Sequence, residues 1–211
     1  KAHKRSRGRE ACLRLAHIDI EAEEILFGRE TRYRNKAEYP VSFADGKLKI
    51  GFFSPHSHRV ADCSDCLLQP EIFSDIVKIF RVFIVENGIS VYSPESGKGL
   101  LRHIYIRRGE VSGEIMVCAV INGSSLPHSD RLVAALSVFP EVKSIVLNIN
   151  YDDTNVILGS KNIILYGQEK ISDTLCGLKI NLSPLSFYQV NHDMAAALYL
   201  KAAEFASLGG S

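Results

Sequence analysis

Cysteine and histidine side chains cluster in the string PHSHRVADCSDC, where His56 and His58 precede the CxxC pair Cys63 and Cys66. Thiolates and imidazoles bind zinc in tetrahedral sites, and thiolates also hold iron–sulfur clusters. One CxxC pair is equally compatible with two thiols in a turn before a helix. Three interpretations stay open: a structural turn, a zinc site formed by all four residues, or one cysteine serving a cluster whose other ligands lie elsewhere.

Basic side chains surround a tyrosine in the string TRYRNK, and two more follow a predicted strand. These residues are Arg32, Tyr33, Arg34 and Lys36, with Arg107 and Arg108 further along the chain. Guanidinium groups clamp phosphates and a tyrosine ring stacks on an unpaired base, so the pattern predicts contact with RNA. A solvated charged face is the alternative.

The string SPLSFYQVN (183–191) places aromatic and amide side chains between a strand and a helix. Phe187 offers a ring face, and Asn191 can cap the following helix. Gln189 carries a donor and an acceptor that can read the edge of a nucleobase. We interpret Phe187 and Gln189 as base contacts, the alternative being a structural glutamine with satisfied hydrogen bonds.

Composition narrows the class of protein. The chain has 211 residues, of which 46% are hydrophobic and 23% charged, which excludes a disordered or collagen-like chain. Its net charge of +1 excludes a general polycation, but residues 1–36 are richer in basic than in acidic side chains. We expect a cytoplasmic protein, because there is no apolar membrane span, no signal peptide and no disulfide framework. We also expect a monomer.

Two helices that would support these candidates are predicted in the first half of the chain. Apolar residues at helical spacing indicate one over residues 13–27, ended by Gly28. An apolar stripe after Pro70 indicates a core-facing helix that Gly88 ends. Between them, residues 38–53 alternate around Asp45-Gly46, which predicts a β-hairpin with a type I′ turn.

The second half predicts strands around a short helix. The strand-like runs are HIYIRR (103–108), GEIMVCAVI (113–121), KSIVLNI (143–149), NVILG (155–159), NIILYG (162–167) and LKINLS (178–183). The helix, HSDRLVAALSVFP, would be capped by Ser129 or Asp130 and stopped by Pro140. This order indicates a mixed α/β fold, in which helices pack on a mixed β-sheet.

The last predicted helix follows Asn191 and has a narrow apolar face. That face consists of Ala195, Leu198, Ala202 and Phe205. It needs a partner, and little sequence follows it. We therefore expect the chain to stop just inside a second domain.

Five strings, in this order, resemble the S-adenosylmethionine-dependent RNA (uracil-5-)-methyltransferases, and look most like the bacterial 23S rRNA branch. They are YRNKAEYPV (33–41), GFFSPHSHRVADCSDCLLQPE (51–71), LRHIYIRRGEVSGEIMVCAVIN (101–122), NINYDDTNVILG (148–159) and SPLSFYQVNHDMAAALY (183–199). TNVILG and SFYQVN are the most specific.

The resemblance implies a domain order: an RNA-binding barrel, a central mixed α/β domain and a Rossmann-like methyltransferase domain. By this resemblance, residues 1–32 are a basic lead and helix, and residues 33–182 are the central domain. Residues 183–211 are then the first edge of the methyltransferase domain, which we expect to be otherwise missing.

The resemblance also implies site residues and cofactors. It puts Phe187 beside a flipped uracil and Gln189 at the S-adenosylmethionine or uracil site. Many such enzymes bind a [4Fe–4S] cluster through four cysteines, and Cys66 in DCLLQPE matches the last of them. Only Cys12 stands where three earlier cysteines are expected, which argues against an intact cluster here.

The sequence departs from such enzymes in its chemistry. It has no glycine-rich S-adenosylmethionine loop, no Asp-Pro-Pro-Arg stretch with the catalytic cysteine and no carboxy-terminal base, so we expect the chain alone to be inactive. The resemblance predicts part of a 23S rRNA (uracil-5-)-methyltransferase that contributes RNA, target-base and cofactor contacts. The alternatives are a catalytically inactive RNA-binding module and a small zinc protein.

Overall fold

A computed structural model describes residues 2–19 and 25–206, and the side chains of residues 2–5 and 8 lie outside the description. The chain divides into two compact units. Residues Glu30–His192 form one, called here the sheet unit, and Lys1–Arg29 with Asp193–Ser211 form the other, called the terminal unit. The boundaries at residues 33 and 183 stay predictions.

The described residues contain four helices and nine strands. The helices are α1 (Ala2–Ala16), α2 (Glu71–Glu86), α3 (Ser129–Leu136) and α4 (His192–Phe205). The strands are β1 (Lys36–Ala44), β2 (Lys47–Phe53), β3 (Val60–Asp62), β4 (Leu101–Arg108), β5 (Ile115–Ile121), β6 (Val142–Ile149), β7 (Lys161–Gly167), β8 (Ile171–Leu175) and β9 (Leu178–Leu182).

Seven strands form one mixed sheet in the order β3-β2-β1-β4-β5-β6-β7, which confirms the predicted fold class. Strands β5 and β6 are parallel, and the other neighbours are antiparallel. Helix α3 lies in the connection between β5 and β6, because parallel neighbours need a crossover. Every residue of β5 is buried, as in a strand covered on both faces. Strands β8 and β9 form a separate hairpin.

The two clearest local signals are confirmed. Asp45 and Gly46 both have positive φ (56° and 70°), so they form the tight turn between β1 and β2. Helix α2 follows Pro70 directly and turns a buried stripe, including Phe73 and Phe80, onto the sheet. Gly88, just past its end, has a φ of 60°.

The predicted strand over residues 155–159 is wrong. This segment is a loop, and buried asparagine side chains on β6 and just after it hold its backbone. The Asn148 amide bonds both the N–H and the carbonyl of Gly159, each at 2.8 Å. The Asn150 amide donates to the carbonyls of Val156 and Ile157. These side chains replace the partners that a neighbouring strand would supply.

Two predicted helix starts also differ from the structure. Helix α1 covers the basic lead and ends at Ala16, because His17 adopts a left-handed φ of 54°. Residues 13–16 of the predicted helix are therefore helical, whereas the prediction is wrong for residues 17–19 and 25–27. Residues 20–24 of that prediction lie outside the described residues. In α3, the N-cap position belongs to His128, which makes no side-chain cap, rather than to Ser129 or Asp130.

The terminal unit contains α1 and most of α4. An ion pair joins Arg29 to Asp193 at 2.9 Å. Of the predicted apolar face of α4, Ala195 is buried, whereas Leu198 and Phe205 are mostly exposed. No helix in the described parts of the chain combines the length and apolar character that crossing a membrane requires.

Candidate functional site

The loop of residues 183–191 connects β9 to α4 and belongs to the sheet unit. Exposure alternates along it, with Leu185, Phe187 and Gln189 exposed and Tyr188 buried. The Phe187 ring is 85% exposed. Leu185, two residues before it, is also exposed, and exposed apolar side chains that adjoin one another are candidates for a binding surface.

Arg107, near the end of β4, holds the first half of this loop. It is 2% exposed, and its guanidinium donates from Nη1 to the Ser183 carbonyl at 2.7 Å and from Nη2 to the Ser186 carbonyl at 2.6 Å. The side chain of Arg107 is buried and two of its donors already bond the loop, and its predicted contact with RNA stays a prediction.

Asn35 holds the second half of the loop. It is buried, its side-chain amide donates to the Gln189 carbonyl at 3.0 Å, and its N–H donates to the Val190 carbonyl at 2.9 Å. Arg34 pairs with Asn191 in an antiparallel bridge. The basic segment TRYRNK therefore runs directly beside the loop, an arrangement that links two sequence-predicted regions.

The buried side chain of Tyr188 also anchors the loop. Its hydroxyl donates to Asp173 Oδ2 at 2.9 Å, and Asp173 also accepts the N–H groups of Glu110 and Val111 at 2.9 Å each. Burial, the largest influence, raises the pKa of Asp173, but these hydrogen bonds outweigh burial and hold the pKa below its ordinary value. Burial and the bond to Asp173 raise the pKa of Tyr188.

These anchors act on the backbone around Phe187 and on the inward side chain, so the outward side chains are left exposed. Within the described residues, the Gln189 amide has no hydrogen-bond partner. A fixed loop thus presents an aromatic face and, two residues on, an amide. This pair can stack on a planar ring and bond its edge.

The other predicted RNA contacts have differing environments. Arg32 forms a bidentate ion pair with Asp65 at 2.7 and 2.8 Å and also bonds the Cys66 and Gln69 carbonyls, so its fork is already occupied. Lys36 pairs with Glu38 at 2.9 Å. The remaining three, Tyr33, Arg34 and Arg108, are partly exposed, and their contact with RNA stays a prediction.

The positions of the His, Cys, Asp and Glu side chains decide whether a metal ion can bind. Across residues 2–19 and 25–206, no group of three or more His, Cys, Asp or Glu side chains could hold a metal ion. The predicted zinc site of His56, His58, Cys63 and Cys66 is therefore wrong. Burial and the nearby Cys66 raise the pKa of Cys63, which disfavours the thiolate that a metal binds. The described cysteines likewise do not fit a four-thiolate cluster.

Sequence similarity covers nearly the whole chain. A protein from Clostridium tetani named as an uncharacterized RNA methyltransferase is 41% identical over 210 residues, 98% of this chain and 45% of that protein. A protein of the same description from Halalkalibacterium halodurans is 42% identical over 85% of this chain and 40% of its own length. The chain belongs to the RNA methyltransferase family. It spans less than half the length of these two methyltransferases.

The fold agrees with this family. The crystal structure of the Pyrococcus abyssi tRNA (uracil-54, C5)-methyltransferase, in complex with S-adenosyl-L-homocysteine, superposes with a TM-score of 0.77 at 23% identity. The match covers 96% of this chain and 47% of that methyltransferase. No protein-family model matches the chain.

Proposed function

We propose that this chain is part of an enzyme that transfers a methyl group from S-adenosylmethionine to carbon 5 of a uracil in 23S rRNA. In this proposal, Phe187 stacks on the extruded uracil and the Gln189 amide bonds the base or the methyl donor. The similarity to RNA methyltransferases supports the reaction class. The structural match to a tRNA (uracil-54, C5)-methyltransferase supports carbon 5 of uracil as the methylated atom.

The observation that carries the proposal is the exposed Phe187 ring on a loop whose carbonyls are hydrogen-bonded to Arg107 and Asn35. Extruding a base from its stack costs on the order of a few kcal/mol. Stacking on an aromatic side chain returns about 1–3 kcal/mol per base. An exposed ring on a fixed loop is therefore suited to offsetting much of that cost.

Methylation of carbon 5 needs a nucleophile that activates the base. A thiolate adds to carbon 6, the resulting enolate takes the methyl group from the sulfonium, and a base removes the carbon 5 proton so that the thiolate can leave. S-adenosylmethionine supplies the electrophilic methyl group. Cys118 is sealed inside β5, and burial raises its pKa, which makes it unsuitable as that thiolate.

In the proposal, this chain's residues therefore bind and orient the base rather than react with it. The Gln189 amide is free to pair with a uracil edge, which offers one donor and at least one acceptor, or with polar groups of the methyl donor. The carbonyls of the loop are already bonded to Arg107 and Asn35, so the loop can hold its shape without RNA.

The test uses the full-length enzyme and 23S rRNA transcripts that carry tritium at carbon 5 of uracil. Methylation there releases tritium, so release shows both the reaction and the position. We expect Phe187→Ala and Gln189→Ala each to lower kcat/KM by about ten- to 100-fold, the equivalent of one lost stack or a polar contact.

Leu185→Ala is the matched control, because Leu185 is also exposed on the same loop. We expect it to change kcat/KM by no more than about twofold, as most exposed substitutions do. Absence of tritium release from wild-type protein that binds the RNA would favour the inactive RNA-binding alternative. Release from tRNA but not from rRNA would reject the rRNA target and keep the reaction.

A further inference from the structure

We propose that Arg107 is a positioning residue for base recognition, an inference that rests on the proposed function of Phe187 and Gln189. Its two guanidinium bonds end on Ser183 and on Ser186, the residue directly before Phe187. Because one rigid fork bonds both carbonyls, it fixes the direction in which the chain enters Phe187.

The charge of Arg107 is unusual for its location. Within the described residues, it forms no ion pair, although it is 2% exposed. Its Nε has no hydrogen-bond partner, and its guanidinium carbon lies over the Tyr105 ring, 5.5 Å from the ring centroid. A buried cation without a carboxylate is costly, and an apolar residue would avoid that cost. The cost is explained if the loop conformation depends on the guanidinium.

The neighbour of Arg107 across the sheet, Lys36, does not offset its charge. It lies directly opposite Arg107 in the register of β1 and β4, which places a second positive charge close by. Glu38 forms its ion pair with Lys36, at 2.9 Å. The acceptors of Arg107 are instead the two loop carbonyls. The dipoles of these loop carbonyls thus stabilise the charge of Arg107. This stabilisation is lost if the loop moves away.

A second buried arginine on β4 bonds the carbonyls of a different loop. Arg102, near the other end of β4, is 6% exposed and donates from Nη1 to the carbonyls of Asn150 and Asp152 at 2.8 and 2.9 Å. Its Nε is also without a partner. The two arginines therefore have similar burial and similar bonds to loop carbonyls, but only Arg107 holds the loop of Phe187.

The experiment compares Arg107→Gln, Arg107→Lys and Arg102→Gln in the full-length enzyme. Hydrogen exchange is followed in peptides that cover residues 183–191 and 150–158, and kcat and the Kd for RNA are measured with the same preparations. We expect Arg107→Gln to speed exchange in 183–191 alone and to lower kcat by about 100-fold, the effect of a misplaced contact group.

The control variant separates positioning from stability. Arg102→Gln should speed exchange in 150–158 alone and leave kcat within about twofold of wild type. Arg107→Lys keeps the charge but lacks the fork, so we expect intermediate exchange and intermediate kcat. If Arg107→Gln does not fold, Arg107→Lys alone tests the inference.

Three results would overturn the inference. One is an Arg107 variant, including Arg107→Lys, with unchanged kcat and unchanged exchange in 183–191. Another is faster exchange there with full activity, and the third is an equal loss of kcat in the Arg102 and Arg107 variants. If instead Phe187→Ala and Gln189→Ala are fully active, the proposed function has failed, independently of the exchange result for Arg107.

Discussion

The loops of residues 150–159 and 183–191 are both irregular segments whose backbones are bonded by buried polar side chains. The first exposes polar residues such as Asp152 and Asp153, whereas the second exposes Leu185 and Phe187. The first is held mainly by Asn148 and Asn150, which are its sequence neighbours. The second is held largely by residues far away in sequence.

This difference separates two uses of the same device. Buried amide and guanidinium groups bond loop carbonyls in both places, so these carbonyls are paired although the backbone is irregular. In the 150–159 loop, this bonding holds the connection between β6 and β7. In the 183–191 loop, it frees an aromatic ring from packing, which is the arrangement expected of a binding surface.

The largest effect should come from Asp173, which anchors the 183–191 loop through Tyr188. We expect Asp173→Asn to lower the free energy of unfolding by about 3 kcal/mol, because an amide nitrogen would replace one acceptor of buried N–H groups. Urea denaturation measures this change. Asp152→Asn, at an exposed position in the other loop, is the control, and an equal loss in both variants would contradict the anchor.

A smaller loss is expected at the corresponding position of the 150–159 loop. Asn148→Ala removes both bonds to Gly159 and the bond to Asn162, so we expect a loss of about 2 kcal/mol in unfolding free energy. Methyl transfer by the full-length enzyme should be unchanged. Asn155→Ala is the exposed control, and reduced activity of Asn148→Ala in folded enzyme would remove the functional difference between the loops.

One hydroxyl should account for part of the Asp173 effect. Tyr188→Phe deletes only the bond to Asp173 Oδ2, so we expect a loss of about 1.5 kcal/mol and faster hydrogen exchange in 183–191. Tyr151→Phe, in the other loop and 61% exposed, should change neither quantity. Unchanged exchange in Tyr188→Phe would mean that Arg107 and Asn35 suffice to hold the loop.

Acid should weaken the fold through His103, the neighbour of Arg102 at the start of β4. Burial and the Arg102 charge lower the pKa of His103 to about 4, whereas the unfolded chain takes up this proton near pH 6.5. Stability is therefore full above about pH 6.5 and falls by about 1 kcal/mol between pH 7 and 5.5. Urea denaturation of His103→Gln should lack this decrease, and an equal decrease in both proteins would rule out His103.

Local signals in the sequence predicted much of the fold. The turn at Asp45-Gly46, the stripe of α2 and the apolar run of β5 each depend on neighbouring residues, and all three are confirmed. Strand β3 has only three residues, and β8 carries polar residues between its apolar ones, so neither has a strong pattern. The NVILG run (155–159) has the composition of a strand, but its backbone is bonded by asparagines.

The candidate site was only partly predictable. The sequence drew attention to Phe187 and Gln189, and their contacts with a base stay predictions. It did not reveal Asn35 or the anchoring role of Arg107, because their loop partners lie 154 and up to 79 residues away. The buried position of Tyr188 follows from the alternation of the loop, in which Leu185, Phe187 and Gln189 are exposed. Composition alone does not indicate that position.

The 154-residue separation between Asn35 and Gln189 also has a consequence for biosynthesis. At ribosomal rates of about 5–20 residues per second, Gln189 is made about 8–30 s after Asn35. Strands β4 to β6 can pair during that interval, whereas Asn35 must wait for its partner. The 183–191 loop is thus anchored late in translation, and a pause or truncation before residue 189 would yield a chain with much of its sheet but without the anchored loop.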